Sequence, residues 1–258
     1  MKNIENIVSA AEEKNNEYLE AKELLVDLKK ELKIESDSFI KSGFPVDESL
    51  RLDPNKFKDL LYNRLVVENH NKLVAKKSRE FSENKDSIGE LLEASKTLSI
   101  NRFWLGGEFV AVRASQFDDY TNGVDELLIH KESNTVVAAI DSTTDILSKA
   151  DKSSYGNQKS LTAMLKEGAE VAYGVKLENG YVVKLSALKN LPIFIVNFNR
   201  QETIELAKDV LNHKISPLED KLKESLIKQA ELFSQNCSSI MKPHYIKAGK
   251  IFKSIKNK

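Results

Sequence analysis

Asp125 and Asp141 bracket two strand-like segments with apolar runs, Leu127-Leu128-Ile129 and Val136-Val137-Ala138-Ala139-Ile140, joined by a short polar turn. A carboxylate at the end of a buried strand costs free energy unless something compensates its charge. If the turn Glu132-Ser133-Asn134 is centred on Ser133, antiparallel partners have numbers that sum to 266. The two aspartates then stand opposite each other with Cβ atoms ~5 Å apart. A two-residue Ser133-Asn134 loop shifts the sum to 267 and sends the acids to opposite faces. Ser and Asn suit either turn. Two like charges at that spacing require that one acid keep a proton or that both share a cation. Mg²⁺ or Mn²⁺ suits such oxygen donors, with room left for waters and a phosphate oxygen. The chemistry would be hydrolysis of a phosphodiester by a metal-activated water. Asp119 stands close enough in sequence to assist through a water. A plainer reading also exists: Asp141-Ser142-Thr143-Thr144 suits a helix cap, and Asp118 and Asp119 sit beside the turn dipeptide Asn122-Gly123.

The elements around the two acids follow from periodicity. Ile4, Ile7, Ala11, Tyr18, Ala21, Leu25, Leu28 and Leu32 recur at helical steps, which predicts one long helix over 3–33. Asp53-Pro54 starts a second helix reaching about residue 80, and a third begins near Ser87 with Leu91, Leu92, Ala94 and Leu98. The segments 109–115, 124–131 and 135–141 read as strands. The spacing predicts a helix over 159–174 stopped by Gly174, then the strands "YVVKLSAL" and "LPIFIVNF", the second apolar on both faces. A helix over "RQETIELAKDVLNH" follows. A capping box at Ser216 and Glu219 opens a last helix with Leu222, Leu226, Ala230, Leu232 and Phe233 inward. Three consecutive strands, a crossover helix and further strands make an α/β fold with a mixed central sheet flanked by helices. The chain divides into a helical N-terminal region (1–83), an α/β core (84–215), and a C-terminal helix with a basic tail (216–258).

Gly123-Val124-Asp125, a hairpin, and Ala139-Ile140-Asp141-Ser142-Thr143 within this element order resemble the core of the PD-(D/E)XK nuclease superfamily, the restriction-endonuclease-like fold. The resemblance covers about residues 84–215. It implies that Asp125 and Asp141 hold Mg²⁺ or Mn²⁺ and that a lysine helps to activate water. Thr143 stands where the triplet lysine would be, so the lysine would come from the following helix: Lys159 first, Lys149 second. An acid of the preceding helix, Glu90 or Glu93, could also serve the metal. The implied activity is a metal-dependent endonuclease acting on nucleic acid, DNA being the expected form. The missing lysine equally fits a catalytically inactive nuclease-fold protein, or a helical interaction protein whose long N-terminal helix pairs with a partner or with itself as a homodimer.

Charge bears on the partner. The chain carries 39 basic and 39 acidic residues, so its overall charge does not point to nucleic acid or a membrane surface. From Lys242 to Lys258 there are six lysines and no acid. Lys242, Lys247, Lys250 and Lys253, with Arg113, are the candidate contacts to a nucleic-acid backbone, although a frayed, solvated tail fits the same composition. The single cysteine, Cys237, excludes an internal disulfide and fits a reducing compartment. Met1-Lys2-Asn3-Ile4-Glu5 has no apolar leader core and no run approaches a membrane span, so the expectation is a soluble cytoplasmic protein. The four histidines lack ligand spacing, and Gly106-Gly107 is not a phosphate loop.

Overall fold

The computed structural model describes residues 2–58, 64–81, 87–144 and 161–255. Helices α1 (Lys2–Lys41), α2 (Arg64–Phe81) and α3 (Ser87–Arg102) lead into β1 (Phe109–Arg113), α4 (Gln116–Asn122), β2 (Glu126–His130) and β3 (Thr135–Thr143). Then come α5 (Leu161–Glu167), the strands β4 (Ala169–Glu178), β5 (Tyr181–Leu191) and β6 (Ile193–Asn197), and the helices α6 (Arg200–Leu211), α7 (Leu218–Asn236) and α8 (Lys242–Ser254). A four-stranded sheet has the order β1-β2-β3-β6; β4 and β5 form a separate two-stranded ribbon. β1, β2 and β3 are antiparallel neighbours and β6 runs parallel to β3, so the sheet is mixed and the class is α/β.

Registration of the β2–β3 hairpin depends on a bulge. Near the turn, His130 pairs with Thr135 and Ile129 with Val136, a sum of 265. Val137 is then extra, and from Leu128↔Ala138 to Glu126↔Ile140 the sum is 266. Neither turn considered from sequence is the one formed; the inserted residue restores the 266 register at the acidic end.

Both edges of the sheet are occupied. Leu52 donates its N–H to Arg113 O at 3.0 Å and Arg113 donates to Leu50 O at 2.9 Å, which lays residues 50–52 along β1. On β6, the Gln229 amide accepts from Ile195 N and donates to Ile195 O, both at 2.8 Å. A side chain of α7 thus stands in for a fifth strand and removes an exposed edge.

Four local expectations are corrected. The helix over 159–174 ends at Glu167, because Gly168 is left-handed (φ +85°) and a Cβ there would lie 2.8 Å from Asn190 Cα. Beyond it Val171, Tyr173 and Val175 bury alternate positions of a strand, so two-residue spacing outweighs the helical reading. The box at Ser216 and Glu219 does not close, since Glu219 Oε1 accepts from Leu105 N at 2.6 Å; the closed box is Asn199 with Glu202 on α6. On α7, Leu222, Leu226 and Ala230 are buried but Leu232 is exposed. Residues 242–254 of the lysine-rich segment form helix α8 rather than a frayed tail, held by buried Tyr245, Ala248 and Phe252. One continuous apolar cluster runs from Ala21 and Leu25 of α1 through the sheet to Phe252 and Ile255, so α1 packs on the core through α3 and α6. Among the described residues no helix is long and apolar enough to cross a membrane.

Candidate metal centre

Asp125 lies where the β2–β3 ladder stops. Its N–H donates to Ile140 O at 2.9 Å, and its carboxylate Oδ2 accepts the N–H of Ser142 at 2.5 Å. The side chain takes the place of the next strand carbonyl, which gives a structural reason for an acid at this position. Asp119 is delivered by α4, a short helix capped at one end by Ser115, which accepts from Asp118 N, and closed at the other by left-handed Gly123. Glu93 comes from the middle of α3. One carboxylate oxygen from each of Glu93, Asp119 and Asp125 lies within 4.8 Å of the others.

Two guanidinium groups enter the same cluster. Arg51 donates to Glu93 Oε2 at 2.8 Å and to Asp119 Oδ2 at 3.1 Å; Arg113 donates to Glu93 Oε2 at 2.5 Å. Burial opposes ionisation of Glu93, but Arg113 and Arg51 outweigh it and hold its pKa down to about 2. Asp119 behaves oppositely. Burial, with Glu93 and Asp125 nearby, overcomes the pull of Arg51 and pushes its pKa up to about 8. Arg51 is held charged against its burial by Glu93, Asp119 and Asp125. Three acids therefore face two arginines, and Asp119 is the acid whose ionisation this surrounding disfavours. Neighbouring Asp118 is also raised, to about 6, by burial against the opposing bonds from Ala172 N, Ser115, Asn122 and Tyr173 N. It ties α4 to β4.

The donor set suits a hard divalent cation: three carboxylates from three elements. Glu93 Oε1 and Asp125 Oδ1 take no hydrogen bond among the described residues. Arg113 Nε is buried with no acceptor among them, so the cluster is not closed by its own hydrogen bonds.

The residues selected from sequence separate as follows. Asp125 and Asp119 meet in the cluster, and Glu93 joins them, whereas Glu90 pairs with Lys29 at 3.3 Å. Asp141 is buried but is not one of the three clustered acids. Ser142 bonds Lys96 of α3, so the alternation of β3 directs Asp141 from the other face of the strand. Lys159 and Lys149 lie outside the described residues. Arg113 is buried against Glu93 and therefore turned inward, not toward a nucleic-acid backbone. Lys242, Lys247 and Lys250 line a groove of about 790 Å³ between α8 and the β2–β3 turn, with His130, Ser133 and Ile246. Lys253 lies apart, paired with Glu231 at 2.7 Å. Arg51 and Lys96 had no signal in local patterning. Arg51 sits in an irregular segment, and Lys96 is surrounded by Ser95, Thr97 and Ser99 on a helix buried on nearly every side.

No protein-family model matches this chain. Searches of curated proteins and of solved structures likewise found no match. The functional reading therefore rests on the cluster.

Proposed function

We propose that the Glu93–Asp119–Asp125 cluster is the divalent-cation site of a hydrolase that cleaves phosphodiester bonds of nucleic acid. The observation that carries the reading is the convergence of three carboxylates from α3, α4 and the mouth of β2 within 4.8 Å. Mg²⁺ or Mn²⁺ bound there would supply a water of lowered pKa and charge stabilisation on a phosphate oxygen. Glu93 and Asp125 offer the oxygens outside the hydrogen bonds, and Asp119 gives up its proton on binding. Asp141, on the other face of β3, stays outside this set. Lys159 and Lys149 remain the candidates to orient the attacking water.

The lysine groove is at the opposite end of β2. His130 is five residue steps from Asp125, about 17 Å along the strand. A duplex strand rises about 3.4 Å per phosphate, so one ligand touching both places must extend over about five nucleotide steps. DNA is the expected form, contacted through its backbone without base readout.

A second reading is supported by Arg51 and Arg113. Their bonds of 2.5 to 3.1 Å to Glu93 and Asp119 make an arginine-locked cluster of a non-catalytic interaction protein. Nuclease assays with Mn²⁺ on plasmid and single-stranded DNA separate the two. The first reading predicts cleavage by the wild type that Asp125→Asn and Glu93→Gln abolish; the second predicts no metal-dependent cleavage by any of them.

A further inference from the structure

Directly beneath the acid cluster lies a second charged group that the proposed reaction does not use. Lys96 is wholly buried, and its ammonium sits 3.1 Å from Glu126 Oε2 and 2.6 Å from Ser142 Oγ. Glu126 is buried too, and Thr97 Oγ1 donates to its other oxygen. Moving an ammonium and a carboxylate out of water together is rarely a net gain over apolar packing, so stability alone gives little reason for this pair. Its connections suggest another. Lys96 is one helical turn from Glu93 on α3, and Glu126 directly follows Asp125. Ser142, gripped through its hydroxyl by Lys96, gives its backbone N–H to Asp125 Oδ2 at 2.5 Å.

We infer that Lys96 is a positioning residue: by fixing Ser142 it aims the Ser142 amide at Asp125 and so sets where the Asp125 carboxylate points. One helix thus supplies a carboxylate to the cluster through Glu93 and orients a second through Lys96 and Ser142. The Asp125 backbone is held on both sides, its N–H by Ile140 O at 2.9 Å and its carbonyl by Ala114 N at 2.8 Å, so a hydrogen bond to one carboxylate oxygen decides which way the other faces. Outer partners of this kind govern the affinity of a metal site without touching the ion. The inference rests on the cation-site reading for its consequence, but not for the contact itself.

Two measurements on the full chain keep these apart. Removing Lys96 alone strands Glu126 in the core and risks unfolding, so the variants are Ser142→Ala, which leaves the ion pair intact, and the double substitution Lys96→Met with Glu126→Gln, which removes both charges. The first measurement is the Mn²⁺ Kd by electron paramagnetic resonance; each variant is expected to weaken it about tenfold, and their combination no further. The second is the hydrogen-exchange rate of the Ser142 amide without metal, read by NMR. It rises in the double variant and in Asp125→Asn, while Ala138 and Ile140 are unchanged. Wild-type protein that binds no Mn²⁺ removes the cation site and leaves the exchange rate to decide. Unchanged Ser142 exchange in the folded double variant overturns the inference, as does wild-type Mn²⁺ affinity in both variants.

Discussion

At the scale of single residues, the cluster sets its own pH response. A carboxyl raised above its ordinary pKa binds a proton more tightly folded than unfolded, so it favours the fold at low pH and opposes it as pH rises. For Asp119 that loss spreads from the ordinary carboxylate range up to about 8. Glu93 has the opposite sign. Held down to about 2, it contributes stability above its ordinary value that disappears as pH falls toward 2. Asp119→Asn is therefore predicted to raise the melting temperature at pH 8.5 and to change it little at pH 4.5, measured by differential scanning calorimetry. An equal effect at both values would contradict the assignment. Arg51→Met leaves Glu93 and Asp119 with one cation fewer and should cost about 3–5 kcal/mol, as expected when one partner of a buried ion pair is removed; urea denaturation measures it. Asp125 was legible because an acid closing an apolar run is costly wherever it occurs. Arg51 was not, because its partners are 42 and 68 positions away and no short-range pattern reports them.

At the scale of elements, helices and strands with one buried face were readable and those shaped by tertiary contacts were not. The helical spacing of Ala21, Leu25, Leu28 and Leu32 marked the buried face of α1. The 266 register holds from Leu128↔Ala138 to Glu126↔Ile140 through a bulge at Val137 that the turn residues do not announce, but it stops short of the aspartates, since Asp125 N–H bonds Ile140 O. The segment 159–174 misled because Leu161, Met164 and Leu165 have helical spacing while the glycine that ends the helix is an interior Gly168 rather than Gly174. Gly168→Ala must adopt φ near +85° against Asn190 and Met241, and should cost about 1–3 kcal/mol in denaturant unfolding. A neutral result would mean that this turn relaxes and that β4 is not fixed by it. Gln229→Ala deprives Ile195 of both backbone partners and should destabilise by about 1–3 kcal/mol. It should also raise hydrogen exchange along β6 before other strands.

Across the whole molecule, charged side chains concentrate at the two ends of one hairpin. Three carboxylates with Arg51 and Arg113 among them gather where β2 begins, while Lys242, Lys247 and Lys250 of α8 flank the turn beside Glu132, although the net charge is zero. The composition alone hides these two groupings, because 39 acids cancel 39 bases in the sum. If the groove holds a nucleic-acid backbone, replacing Lys242, Lys247 and Lys250 together with alanine weakens DNA binding alike for all sequences. The slope of log affinity against log salt concentration then falls by about three. Unchanged salt dependence would assign the groove to another ligand. The central claim concerns the other end of the hairpin, and titration of Mn²⁺ into the full chain at pH 8, followed by isothermal calorimetry, tests it most directly. One ion bound per chain, with affinity lowered at least tenfold by Asp125→Asn, is the predicted result. No binding by the wild type, or equal binding by both proteins, would contradict it.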